Sequence, residues 1–158
     1  MRLAREASDQ LRLGNPVIRM NPEATWEQVV HMPTWMWVDP AAWAPVSATA
    51  DAGAVAVTAT ATPTSVVWDM GNGDSVTCAG PGTPYDRARS VSAQRTTCSY
   101  TYRRSSSGQP GQRFTVTATV LWDARWSATG IEGGGDLGTM RTNASVRVRV
   151  AELQALND

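Results

Sequence analysis

Lysine is absent from this 158-residue chain, histidine and phenylalanine occur once each, and cysteine occurs twice. Each shortage closes off a chemistry. Without lysine there is no Schiff-base nucleophile, no P-loop cation and no lysine general base. A Ser–His–Asp triad would have to use His31, which lies away from any nucleophile-elbow motif. No apolar run approaches the roughly 18 residues that a membrane helix needs. Charge of one sign is lacking as well, since fourteen basic residues, all arginine, balance fourteen acidic ones. No global field therefore draws the chain to nucleic acid or to an anionic membrane, and neither a cofactor nor a metal is expected. Residues 1–13 carry Arg2, Arg5, Glu6, Asp9 and Arg12 without an apolar core, so they do not form a secretory signal. For an exported protein this places the natural start upstream, or the signal already removed; an intracellular protein with two reduced cysteines is the alternative.

What is present favours strands. The length suits one ordinary domain with extensions, large enough to bury a core. Leu3, Ala7 and Leu11 recur every four residues, which predicts a short amphipathic helix before Gly14-Asn15-Pro16. Residues 17–45 hold Trp26, Trp35, Trp37 and Trp43 among four prolines, and read as an irregular arm with one strand over 34–38. From Val46 the texture changes to Val, Thr and Ala. Val55, Val57, Ala59 and Ala61 alternate with smaller or polar residues as one strand, which Pro63 is expected to end. Val66, Trp68 and Met70 form the next inward row, and Gly71-Asn72-Gly73 fits a tight turn into a return strand over 75–78. After a long loop over 79–93 comes a strand over 96–102. Phe114, Val116, Ala118, Val120, Trp122, Ala124 and Trp126 then all fall at even positions, a period of two that decides for strand. A glycine-rich loop over 130–138 precedes a last half-buried strand over 144–150. The expected architecture is an all-β sandwich of about seven strands over 46–158, preceded by a helix and a Trp/Pro-rich arm over 1–45.

Two segments carry a more particular pattern. Val67-Trp68-Asp69-Met70-Gly71-Asn72-Gly73 resembles the tryptophan, aspartate, phenylalanine, glycine, aspartate, glycine signature of PKD (polycystic kidney disease) domains. Tyr100-Thr101-Tyr102, with the run from Gly111 to Val120, is similar to that family's tyrosine motif and its glycine-led penultimate strand. Met70 departs from the family's aromatic residue, Asn72 from its acid, and a loop bearing both cysteines is inserted. The resemblance implies an immunoglobulin-like sandwich that mediates protein or carbohydrate contacts outside the cell, and it implies no reaction. Taken whole, the chain is similar to a group of exported actinomycete proteins of unknown function, which implies a secreted or cell-surface setting.

The candidate functional features each have a plainer reading beside them. Cys78 and Cys98 are a disulfide, two buried thiols or half of a metal site; their spacing and the lone His31 disfavour metal. The extracytoplasmic setting implied by the resemblance points to the disulfide. Asp69, Asn72 and Asp74 do not match the spacing of a calcium loop, and Asp69 and Asp74 are expected to bond local turn backbone. Trp35, Trp37 and Trp43 are the candidate binding surface for a protein or a cell-wall polysaccharide, with burial over one end of the sandwich as the competing expectation. Arginines 87, 89, 95, 103, 104 and 113 read as solvated loop charge, or as a site for an anionic wall polymer. Gly133-Gly134-Gly135 lacks the following Lys and Ser/Thr of a Walker loop. Asn143-Ala144-Ser145 matches a glycosylation sequon and is treated as chance. The expectation is a non-catalytic interaction module. The alternatives are a subunit of a larger surface assembly, or an enzyme or nucleotide-binding protein with an unrecognised site.

Overall fold

The computed structural model describes residues 2–153, so 154–158, at the end of the range assigned to the sandwich, lie outside the described residues. One short helix, α1 (Arg2–Asp9), precedes the strands β1 (Ile18–Asn21), β2 (Glu27–Val29), β3 (Pro33–Val38), β4 (Val46–Ala52), β5 (Val55–Asp69), β6 (Ser75–Cys78), β7 (Ser99–Thr101), β8 (Phe114–Thr129) and β9 (Gly134–Ala151). They form a small sheet in the order β1-β3-β7 and a large one in the order β2-β9-β8-β5-β4, with β6 also on β5. The molecule is mostly β, and its two sheets are arranged as a sandwich.

The alternating row of β8 becomes the centre of the core. Phe114, Val116, Ala118, Val120, Trp122 and Ala124 are all buried. Their neighbours face out and meet polar partners on β9, as where the Thr117 and Ser145 hydroxyls lie 2.8 Å apart. On the inner side of the small sheet Met20, Thr34, Met36 and Val38 are buried. Met20, Met36 and Val38 meet Val66, Trp68, Val116 and Val148 of the large sheet in one apolar cluster.

Three sequence readings are corrected. Pro63 does not end its strand: β5 runs from Val55 to Asp69, with a register shift against β8 between Pro63 and Ser65. On its other side β5 pairs with β4 only as far as Ala61 and with β6 only from Val66 onward, so Pro63 sits where β5 has a single neighbour and a missing N–H is tolerated. The shift also moves the inward row from odd to even positions, so Val57, Ala59 and Ala61 and then Val66 and Trp68 are all buried.

The second correction concerns the stretch read as an irregular arm, which is woven into both sheets. β1 and β3 are two of the three strands of the small sheet, and β2 pairs in parallel with the end of β9.

Third, the glycine-rich segment is not all loop, because β9 begins at Gly134. Trp126 lies opposite Gly135 and covers it; a Cβ there would stand 2.8 Å from the indole nitrogen. The cross-strand aromatic ring replaces the packing that the glycines cannot supply.

The long strands extend past the small sheet, and α1 covers the extension. Leu3, Ala4 and Ala7 pack on Ala50, Val57 and Ala59, with Trp126 and Leu137 at the margin. An eight-residue helix is too short to persist alone in water, so this apolar contact is what maintains it.

Candidate functional site

The two motif segments meet at one end of the sandwich, where their contacts are structural. Asp69 Oδ1 accepts the Gly71 N–H at 2.9 Å, the turn chemistry expected of it, and Asn72 Oδ1 accepts the Asp74 N–H at 3.0 Å; the Asp74 carboxylate, expected to bond local backbone too, takes the Tyr100 hydroxyl instead. Gly71 has φ of 81°, and a Cβ on it would lie 2.5 Å from the Thr115 carbonyl oxygen, so the turn requires glycine there. Tyr100 ties this turn to β7 by donating to the Asp74 carboxylate and accepting from Asn72 Nδ2 at 2.8 Å. Tyr102 is buried, stacks on Phe114 with centroids 5.2 Å apart, and donates its hydroxyl to the Met70 carbonyl at 2.9 Å.

Burial drives the Tyr102 phenol far above its usual range, with the charges of Tyr100 and Asp69 adding to the shift. A phenol that resists ionisation in the folded state stabilises it fully below the unfolded value near ~10. That contribution is lost as pH climbs through the folded value. Tyr102→Phe should therefore cost about 1–2 kcal/mol at neutral pH and flatten the loss of stability above pH ~10. Urea unfolding at several alkaline pH values checks both effects; a variant with unchanged stability and the same alkaline decline contradicts them.

Cys78 and Cys98 form a disulfide, with sulfurs 2.04 Å apart. Cys78 ends β6, whereas Cys98 lies just before β7 rather than within it, because that strand covers only Ser99–Thr101. The segment between them folds over the outer face of the small sheet. The Pro81 carbonyl accepts the Val38 N–H at 2.8 Å. Gly82, with φ of 91°, comes so close that a Cβ would lie 2.5 Å from the Met36 carbonyl oxygen. Farther along, Gln94 accepts the Asp86 N–H and donates to the Asp86 and Arg89 carbonyls, which braces the loop internally.

The three candidate tryptophans do not form one platform. Trp35 and Trp37 project outward from β3 and are half-buried, while Trp43 faces a separate apolar cavity of about 250 Å³ that it shares with Trp122 and Pro45. Trp35 is met edge-on by Tyr85 of the loop, centroids 5.0 Å apart. Trp37 instead lines a cleft of about 400 Å³ together with Arg19, Asn21, Glu23, Tyr85 and Arg87.

Each wall of this cleft has its own support. β1 and β3 pair so that Arg19 stands opposite Trp37 and Asn21 opposite Trp35, which puts all four on the outer face. The turn carrying Glu23 is held from beneath by fully buried Gln28. Its amide donates to the Pro22 and Glu23 carbonyls at 2.9 and 3.2 Å and accepts from the Thr34 hydroxyl at 3.0 Å. Arg87 Nη2 bonds Glu23 Oε1 at 2.7 Å, and its guanidinium lies 4.9 Å from the Trp26 ring centroid. Arg19 pairs with Asp39 at 3.6 Å.

Of the residues lining this cleft, sequence reasoning had named only Trp37 as part of a candidate binding surface. The one available signal was Tyr85, an aromatic residue in a loop otherwise built of small and polar groups. Arg87 was noted only as loop charge.

Fold and cleft together define a disulfide-braced all-β sandwich with an aromatic, hydrogen-bonding recess on its smaller sheet. No family model, curated protein or solved structure matches this chain. Among the described residues no helix is long and apolar enough to cross a membrane.

Proposed function

We propose that this chain is a non-catalytic, PKD-like module that works outside the cytoplasm and binds a polysaccharide through the cleft on its smaller sheet. The observation that carries the reading is the composition of that cleft: the Trp37 and Tyr85 rings flanked by Asn21, Glu23, Arg19 and Arg87. A sugar ring has apolar C–H faces that pack on an indole or phenol, and an equator of hydroxyls that both donate and accept. Flat aromatic groups beside planar amide, carboxylate and guanidinium groups match both demands. The volume suits one or two sugar rings, and the recess is open enough to admit a longer chain passing through it. Both acids near the cleft are engaged with guanidinium groups, Glu23 with Arg87 and Asp39 with Arg19, an arrangement that serves recognition better than proton transfer. The disulfide supports an oxidising setting.

Titrating soluble polysaccharides against tryptophan fluorescence tests the reading. Trp37→Ala is expected to weaken binding about tenfold or more; the ring is only partly exposed, so the melting temperature should fall as well, and binding is compared at a temperature where circular dichroism shows the variant folded. A variant that binds as tightly as wild type would remove the cleft from consideration.

A further inference from the structure

The two arginines of the cleft suggest at first an anionic ligand, but their surroundings point the other way. Arg87 is bound to Glu23 at 2.7 Å, a charge-assisted hydrogen bond, and is further held by the face of Trp26. Arg19 has Asp39 at 3.6 Å, and that carboxylate is itself oriented by the Ala41 N–H at 3.0 Å. Each guanidinium of the recess thus has a carboxylate beside it, Glu23 within the lining and Asp39 just outside it.

We infer that Glu23 is a specificity-determining residue that restricts the cleft to uncharged sugars by claiming Arg87. The inference rests on the saccharide reading above. A uronate or sulfate could use the remaining donors of Arg87 only by standing beside the Glu23 carboxylate, and like charges in such proximity oppose binding. A neutral sugar meets no such repulsion. Arg87 keeps further N–H donors after bonding Glu23, and the carboxylate keeps further acceptor sites. The ion pair is therefore a ready donor–acceptor couple for two adjacent hydroxyls, one accepting from Arg87 while the other donates to Glu23. The buried Gln28 holds the Glu23 backbone through its carbonyl, so a change confined to the Glu23 side chain leaves the turn in place.

Glu23→Gln is the discriminating variant, since it keeps shape and removes charge. Wild type and variant are titrated with an uncharged oligosaccharide and with a uronate-containing one of equal length, at low and moderate salt. Wild type should favour the uncharged sugar with little response to salt. In Glu23→Gln the uronate sugar should gain about fivefold in affinity, with a salt dependence that the uncharged sugar lacks, and the melting temperature should hold. Wild-type preference for the uronate, or an unchanged ratio of the two affinities in the variant, overturns the role of Glu23 while leaving saccharide binding intact. Failure of wild type to bind any saccharide overturns the underlying reading and this inference with it.

Discussion

Truncating Trp68 to Ala is expected to remove about 3–5 kcal/mol of folding free energy, the largest effect of any single substitution considered for this chain. The indole is fully buried on β5, with Ala118 opposite it on β8 and Val76 opposite it on β6. That large-against-small arrangement lets one ring fill the space beneath the small sheet, so its removal leaves a void that rigid strands cannot collapse into. For a chain of this size each kcal/mol moves the melting temperature by about 2–4 °C, so the shift should be plain in a thermal scan. Trp68→Phe is the informative control. It keeps an aromatic ring and deletes an N–H that has no acceptor among the described residues, so it should cost much less than Ala. Equal losses for the two variants would mean that the ring does not fill the core as described.

The same residues show what a sequence discloses and what it hides. The period of two through 114–126 is local information, and it predicted both the strand and its inward face because β8 is paired along both edges by long neighbours. The odd row at 57, 59 and 61 and the even row at 66 and 68 were equally visible. Their change of parity at Pro63 was taken for the end of a strand. Whether a proline breaks a strand or marks a bulge depends on which neighbours flank it, and those neighbours, β4 and β6, lie on either side of it in the chain. The glycines at 134 and 135 were hidden for a related reason: alone they favour loop, and only the indole of Trp126, supplied by another strand, makes them sheet. The arm was misread because β1 and β2 are four and three residues long, too short for any period to register. The cleft was the least legible feature. Its walls come from β1, from the turn after it, from β3 and from a loop more than sixty residues beyond that turn, as the 64-residue separation of Glu23 and Arg87 shows. Buried Gln28, which holds that turn, looks in the sequence like any other polar residue.

The second large effect belongs to the disulfide. Cys78→Ala with Cys98→Ala opens a closed loop spanning 20 residues. On the chain-entropy account this costs about 3 kcal/mol, by returning freedom to the unfolded chain. The structure adds a consequence that the entropy argument alone does not contain. The loop between the cysteines supplies Tyr85 and Arg87 to the cleft, so a ligand that binds there must also pay for any disorder that the missing bridge permits. Affinity and stability should therefore fall together. Addition of the uncharged sugar should recover part of the lost melting temperature, because binding draws the loop back into place. Both cysteines are buried, at 5% and 1% exposure, so a mild reductant should leave the native bridge intact and cleave it only in denaturant. If the double variant keeps wild-type affinity, the contacts of Pro81 and Gly82 with β3 are enough to seat the loop. The bridge then serves the unfolded-state entropy alone. A midpoint of denaturation unchanged from wild type would remove that role as well.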